Sequence, residues 1–158
     1  MEQGADIEST ALVVERPAAP AERITIGERA WMIIGIDHVQ ITVPANAVAE
    51  ARAFYCRLLG LREVEKPATL QARGGFWLQV GDRQVHVGVE EGVARHATRA
   101  HVAYAVTETA SWRARLAAAG VELLDGMPID GRDRFEFRDP FGNRVEFIEA
   151  GVAGTESL

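Results

Sequence analysis

Polar and apolar side chains alternate strictly along residues 38–43. His38 opens the polar face of this segment, and Gln40 follows two positions later on the same face. A period of two is typical of a strand that packs one face against a core and leaves the other face free. We therefore predict a strand that ends at Pro44 and presents His38 and Gln40 on its polar face.

A helix is predicted next, because apolar side chains recur at three- and four-residue intervals between Val48 and Leu59. Asn46 is placed to cap the start of this helix, and Gly60 is placed to end it in the left-handed conformation.

Three further strands follow the helix, and Gly81-Asp82 forms a hairpin signal between the last two of them. The predicted strands are 61–64, 74–80 and 84–90. His86 lies opposite the apolar phase of the last strand. Trp77 lies opposite the apolar phase of the strand before it, and the pattern leaves open whether it lines a pocket or packs at an interface.

The same order of elements then recurs after a polar linker at 91–99, in which we expect His96 to be exposed to solvent. A strand opening with His101 precedes a helix that ends at Gly120, and three strands follow at 121–124, 133–138 and 144–148. Gly60 and His86 are 26 positions apart, and Gly120 and Glu146 are also 26 positions apart. The chain is therefore an internal repeat in which His86 and Glu146 are equivalent, as are His38 and His101.

Three stretches resemble the vicinal oxygen chelate superfamily, which contains glyoxalases, bleomycin-resistance proteins and ring-cleaving dioxygenases. They are Asp37-His38-Val39, the segment 54–60 (FYCRLLG) and the segment 139–146 (DPFGNRVE). The resemblance implies an α+β fold in which two βαβββ modules, at about 33–92 and 98–150 within a domain at 32–150, form an incompletely closed eight-stranded barrel. Members with a single pair of modules commonly form homodimers, and the site can then lie within one chain or across two.

The resemblance also implies a divalent metal ion (Zn, Ni, Co, Mn or Fe(II)) held by His38, His86, His101 and Glu146. Imidazole and carboxylate together suit any of these ions and select none of them. His86 departs from the glyoxalases, many of which carry Glu or Gln there, so it is either a ligand or an acid/base. The implied catalytic residues are Glu146 and His86, and Gln40, Trp77 and Glu136 are the candidate pocket residues.

Three functions remain open on this basis. The favoured one is a metal-dependent lyase or isomerase of the glyoxalase-like group that polarises neighbouring oxygens of a small-molecule substrate. The first alternative is an Fe(II) extradiol ring-cleaving dioxygenase. Those enzymes usually carry a tyrosine on the strand before the last, where this chain has Phe135-Glu136-Phe137. The second alternative is a non-catalytic, bleomycin-type drug-binding protein, for which the acidic charge suits a cationic drug.

Composition narrows the setting further. A net charge of −6 argues against nucleic acid or an anionic membrane as the partner, and one cysteine, Cys56, cannot form an internal disulfide. We therefore expect a cytoplasmic protein in which Cys56 is a packing residue. Residues 1–31 are rich in proline and alanine and hold no period, so we expect a disordered tail there and a short C-terminal tail at 151–158.

Overall fold

The elements of the first module begin with the alternating strand and end with the strand that carries His86. The computed structural model describes residues 33–151, so the predicted tails, apart from Gly151, lie outside the described residues. The strands of the first module are β1 (His38–Val43), β2 (Arg62–Val64), β3 (Phe76–Val80) and β4 (Arg83–Val89). Between β1 and β2 run a 3₁₀ turn (Ala45–Ala47), helix α1 (Val48–Arg52) and a π-helical turn (Ala53–Leu58).

The second module repeats this order with one longer helix. It comprises β5 (His101–Val106), α2 (Thr109–Ala118), β6 (Leu123–Asp125), β7 (Arg134–Arg138) and β8 (Arg144–Glu149). Short 3₁₀ helices at Ala68–Arg73 and Arg95–Ala97 complete the elements. No helix in residues 33–151 is both long and apolar enough to cross a bilayer.

Each module forms one four-stranded mixed sheet, with the orders β1-β4-β3-β2 and β5-β8-β7-β6. The first and last strands of a module pair in parallel, and the other neighbours pair antiparallel. The predicted α+β fold of two βαβββ modules is confirmed. The eight strands lie in two separate sheets, which do not close into a barrel.

The apolar faces of both sheets pack against the helical segments to form one hydrophobic core. The core contains Val43, Phe54, Tyr55, Phe76, Leu78, Val85, Val87, Tyr104, Leu116, Phe135, Phe137, Val145 and Phe147. These residues occupy the phases that the alternation assigned to packing, so the polar phases face away from the core. Cys56 packs against this core and His96 is exposed, both as expected.

Polar contacts also join the two modules. The buried Tyr55 hydroxyl donates to Asp139 Oδ2 over 2.6 Å, and Asn143 Nδ2 donates to the carbonyl of Thr42 over 3.0 Å. Arg115 on α2 donates to the carbonyls of Leu58 and Arg57. Because Tyr55, Asp139 and Asn143 belong to the motif segments singled out in the sequence, those segments fasten one module to the other.

Local structure differs from the prediction in the first helical segment and after β2. The helix predicted between Val48 and Leu59 is α-helical only over Val48–Arg52 and continues as the π-helical turn Ala53–Leu58. Asn46 lies inside the 3₁₀ turn, and its side chain does not cap the helix, so the predicted cap is wrong. Pro44 instead precedes the turn, because its fixed φ suits that position and its missing N–H would have no helical partner there. The 3₁₀ helix at Ala68–Arg73 was not anticipated, since it carries no apolar period.

Candidate functional site

Three aromatic rings line up across the polar face of the first sheet. In the strand register His86 lies beside Gln40 on β1 and beside Trp77 on β3. The His86 ring is stacked between those of His38 and Trp77, with 4.0 Å between ring centroids on each side. We call His38 and His86 the first half-site.

Hydrogen bonds orient both imidazoles of the first half-site. Nδ1 of His38 lies 2.8 Å from Asp37 Oδ1, and because a carboxylate only accepts, Nδ1 donates and Nε2 has no hydrogen-bond partner within residues 33–151. Nε2 of His86 lies 3.0 Å from the Gln84 amide oxygen, so it donates there, and Nδ1 has no hydrogen-bond partner in the described part of the chain. Burial, followed by the nearby His38, lowers the pKa of His86, which favours the neutral ring that binds metals.

A cavity of about 380 Å³ opens over this half-site. His38, His86, Gln40 and Trp77 form part of its wall. The opposite wall comes from the segment that contains the unanticipated 3₁₀ helix, and its lining side chains are Lys66, Leu70 and Arg73.

The equivalent position of the second sheet holds a histidine–carboxylate pair. Nε2 of His101 lies 3.0 Å from Glu146 Oε2, and Glu146 is only 5% exposed. Nδ1 of His101 donates to the carbonyl of Arg99 over 3.0 Å, which turns Nε2 towards Glu146. We call His101 and Glu146 the second half-site.

Two arginines accompany this pair. Glu136 lies directly across the strands from Glu146. Arg134 Nη1 lies 2.9 Å from Glu146 Oε2 and 3.3 Å from Glu136 Oε1, while Arg144 Nε donates to Glu136 Oε2 over 2.7 Å. Burial on its own would raise the pKa of Glu136, but the Arg144 and Arg134 guanidiniums outweigh burial and lower it.

The four predicted ligands are thus brought together as two pairs. Within residues 33–151 of one chain, no three His, Cys, Asp or Glu side chains gather closely enough to hold a metal ion. The register supports the predicted repeat, because His86 pairs with Gln40 and Glu146 pairs with Ala103, each two positions after the histidine that opens the neighbouring strand. The ligand and catalytic roles stay predictions.

The pocket residues follow the predicted phases. Gln40 and Trp77 line the first cavity, and Glu136 faces the side of Glu146 because Phe135 and Phe137 are buried in the core. Arg134 was missed, although its spacing of two from Glu136 on one strand would have placed it on the same face. Lys66 and Arg73 were missed because no pattern placed their segment over the sheet.

The donor atoms of both half-sites are of the kind that binds a metal ion, but neither half-site has enough of them alone. Metal-binding histidines typically donate their second ring N–H to a carboxylate or carbonyl, as His38 and His101 do here. Each half supplies two donors, and a catalytic site requires about three protein ligands.

Comparison with known proteins agrees with this architecture. Residues 35–147 match the family model for the Glyoxalase/Bleomycin resistance protein/Dioxygenase superfamily. A glyoxalase family protein from Bacillus anthracis is 40% identical, with a TM-score of 0.71 over 78% of this chain and 100% of that one.

More distant structures share the fold. The fosfomycin resistance protein FosX from Listeria monocytogenes, complexed with Mn(II) and sulfate, is 17% identical, with a TM-score of 0.62 over 77% of this chain and 94% of that one. An integron cassette protein from the mobile metagenome of Vibrio cholerae is 22% identical, with a TM-score of 0.56 over 77% of this chain and 98% of that one.

Proposed function

The chain belongs to the Glyoxalase/Bleomycin resistance protein/Dioxygenase superfamily, and we propose that it is a metal-dependent enzyme of the lyase or isomerase type. Its substrate is a small molecule with two neighbouring oxygens. The observation that carries this proposal is the equivalence of the two half-sites, each of which presents donor atoms on the polar face of its sheet. Unrelated surface residues would not recur at the same register in both modules.

A second copy of this chain completes the site in our proposal. Each half-site offers two donors, and the described residues of one chain add no third donor to either. A twofold axis that sets the first half-site of one protomer against the second half-site of its partner produces two identical sites, each with three imidazoles and one carboxylate. The Mn(II) bound by FosX supports a divalent ion in this fold.

A divalent ion held there would act as a Lewis acid on the two substrate oxygens. His86, whose pKa burial lowers, is either the fourth ligand or the proton acceptor beside an ion held by the other three. Glu146 is the second candidate, since its carboxylate is buried and lies within contact distance of His101 and Arg134. Trp77 covers one face of His86 and limits access of water to that ring.

The two alternative functions receive less support. Where a dioxygenase would place a tyrosine, Phe135 and Phe137 are buried in the core and Glu136 is paired with arginines. A cationic drug would meet Lys66 and Arg73 in the first cavity, which works against the drug-binding alternative.

Metal content measured by elemental mass spectrometry tests the proposal. We expect near-stoichiometric metal in the wild type and loss of most of it in His38→Ala and in Glu146→Gln. His96→Ala is the matched control, because His96 is exposed and lies outside both half-sites. Full metal content in both site variants would show that these residues are not ligands.

Mixing the two variants tests whether the site is shared. In a heterodimer of His38→Ala with Glu146→Gln, one site carries both substitutions and the other carries none. After unfolding and refolding together, the mixture should recover about a quarter of the wild-type metal content, since half of the dimers are mixed and each has one intact site. No recovery would place all ligands of a site within one chain.

A further inference from the structure

The first cavity has the opposite charge to the protein that contains it. The chain carries a net charge of −6. The side chains that line the cavity nevertheless include two cations, Lys66 and Arg73, and no carboxylate. Within residues 33–151, neither cation forms a salt bridge with an acidic side chain.

The backbone holds both cations over the sheet. Gly74 and Gly75, directly after Arg73, have positive φ angles of 67° and 69°. A Cβ on Gly75 would lie 2.0 Å from the carbonyl oxygen of Val87, so only glycine lets the segment pass this close to β4. Lys66 donates to the carbonyl of Gly74 and thereby ties the two ends of the segment together.

Both cations keep donors that face no partner in the described chain. An ammonium has three N–H groups, and Lys66 uses one of them on Gly74. The Arg73 guanidinium has five N–H groups in a planar arrangement that matches two oxygens of a carboxylate or phosphate.

We propose that Lys66 and Arg73 form an oxyanion-binding subsite, so that the substrate of the first cavity carries a carboxylate or a phosphate-type group. This inference names the substrate class. It rests on the proposed function, which places the two neighbouring oxygens of the substrate at the metal site. The anionic group binds at the Lys66–Arg73 wall, and the rest of the molecule lies over His38, His86 and Trp77. Gln40 adds a neutral donor and acceptor on the same wall as the histidines.

Titration with inorganic phosphate and, separately, with acetate tests the subsite at constant ionic strength. Binding is followed by the indole resonance of Trp77, assigned with Trp77→Phe. We expect saturable shifts with at least one anion, and dissociation constants about tenfold higher in Lys66→Gln and in Arg73→Gln, as for loss of one charge-assisted hydrogen bond. Arg73→Lys should recover part of the affinity. Arg62→Gln is the matched control, because it removes the same charge from the same module outside the cavity.

The outcomes separate this inference from the proposed function. Lys66→Gln and Arg73→Gln should keep the wild-type metal content, and His38→Ala should bind the anion normally after losing its metal. Equal affinity in the wild type and both cation variants, or no saturable binding of either anion, would overturn the subsite and leave the metal result intact. Anion binding that disappears in His38→Ala but persists in Arg73→Gln would also overturn it, because the anion would then bind the metal alone.

Discussion

Replacement of Tyr55 by phenylalanine tests how the two modules are fastened together. Tyr55 is fully buried and donates to Asp139, which is 3% exposed. Asp139 also accepts from the backbone N–H groups of Phe141 and Asn143 and from the Asn143 side chain. Tyr55→Phe therefore removes one of four hydrogen bonds to a buried carboxylate and leaves the ring packing unchanged.

The expected loss of stability follows from this geometry. A hydrogen bond to a charged group contributes roughly 1.5–3 kcal/mol. Because Asp139 keeps three donors in the variant, we expect the lower end of that range, about 1.5–2 kcal/mol. The phenylalanine ring fills the same space, so no cavity contribution is added to this loss of stability.

Urea unfolding followed by circular dichroism measures this loss, with an unchanged m-value as the sign that only stability has changed. Tyr104→Phe is the matched control. Tyr104 is also buried, but in the described part of the chain its hydroxyl donates no hydrogen bond to another residue. We expect less than about 0.5 kcal/mol for the control, and equal losses in the two variants would refute the role assigned to the Tyr55–Asp139 bond.

Alkaline pH gives a readout of the burial of the Tyr55 hydroxyl beside Asp139. Burial, followed by the charge of Asp139, raises the pKa of both Tyr55 and Tyr104. The unfolded tyrosines lose their protons near pH 10, so the stabilisation from a raised pKa is complete below that pH and is lost as the pH rises further. Each tyrosine steepens this loss by about 1.4 kcal/mol per pH unit above pH 10. Tyr55→Phe should therefore lose stability less steeply than the wild type.

Two other substitutions test the segment over the first sheet and the second half-site. Gly75→Ala should destabilise the fold by about 2 kcal/mol or more, because its Cβ would overlap the carbonyl oxygen of Val87. Gly81→Ala, at a positive φ with open space around it, should lose only about 1 kcal/mol in the same urea unfolding assay. Arg134→Gln should lower the metal dissociation constant by about tenfold, because Arg134 no longer competes for Glu146. Arg144→Gln removes a partner of Glu136 instead, so it should change the metal dissociation constant little. Weaker metal binding in Arg134→Gln would mean that Arg134 holds Glu146 in its ligating position.

The sequence predicted those features that burial imposes directly on the pattern of residues. A half-buried strand must alternate, so the phases of His38, His86, His101 and Glu146 could be predicted before the fold was known. The 3₁₀ helix at Ala68–Arg73 could not be predicted in this way. Two glycines and one lysine contact hold this short segment, so its sequence shows no periodic apolar positions. The division of the four residues into two pairs could not be predicted either. The repeat determines where each residue lies within its module, but it does not determine how the modules are arranged.

Equivalent positions in the two modules carry different side-chain charges, and this difference bears on the substrate. The first half-site consists of two stacked imidazole rings, whereas the second contains a buried carboxylate with arginine and histidine around it. Joined in the proposed dimer, the four donors carry one negative charge, so a divalent ion held by them would keep one positive charge. Lys66 and Arg73 add two more positive charges on the opposite wall, and Asp37, which contacts His38, offsets one of them. An acidic protein would therefore present a positively charged site, and such a site favours an anionic substrate over the cationic drug that the total charge suggested.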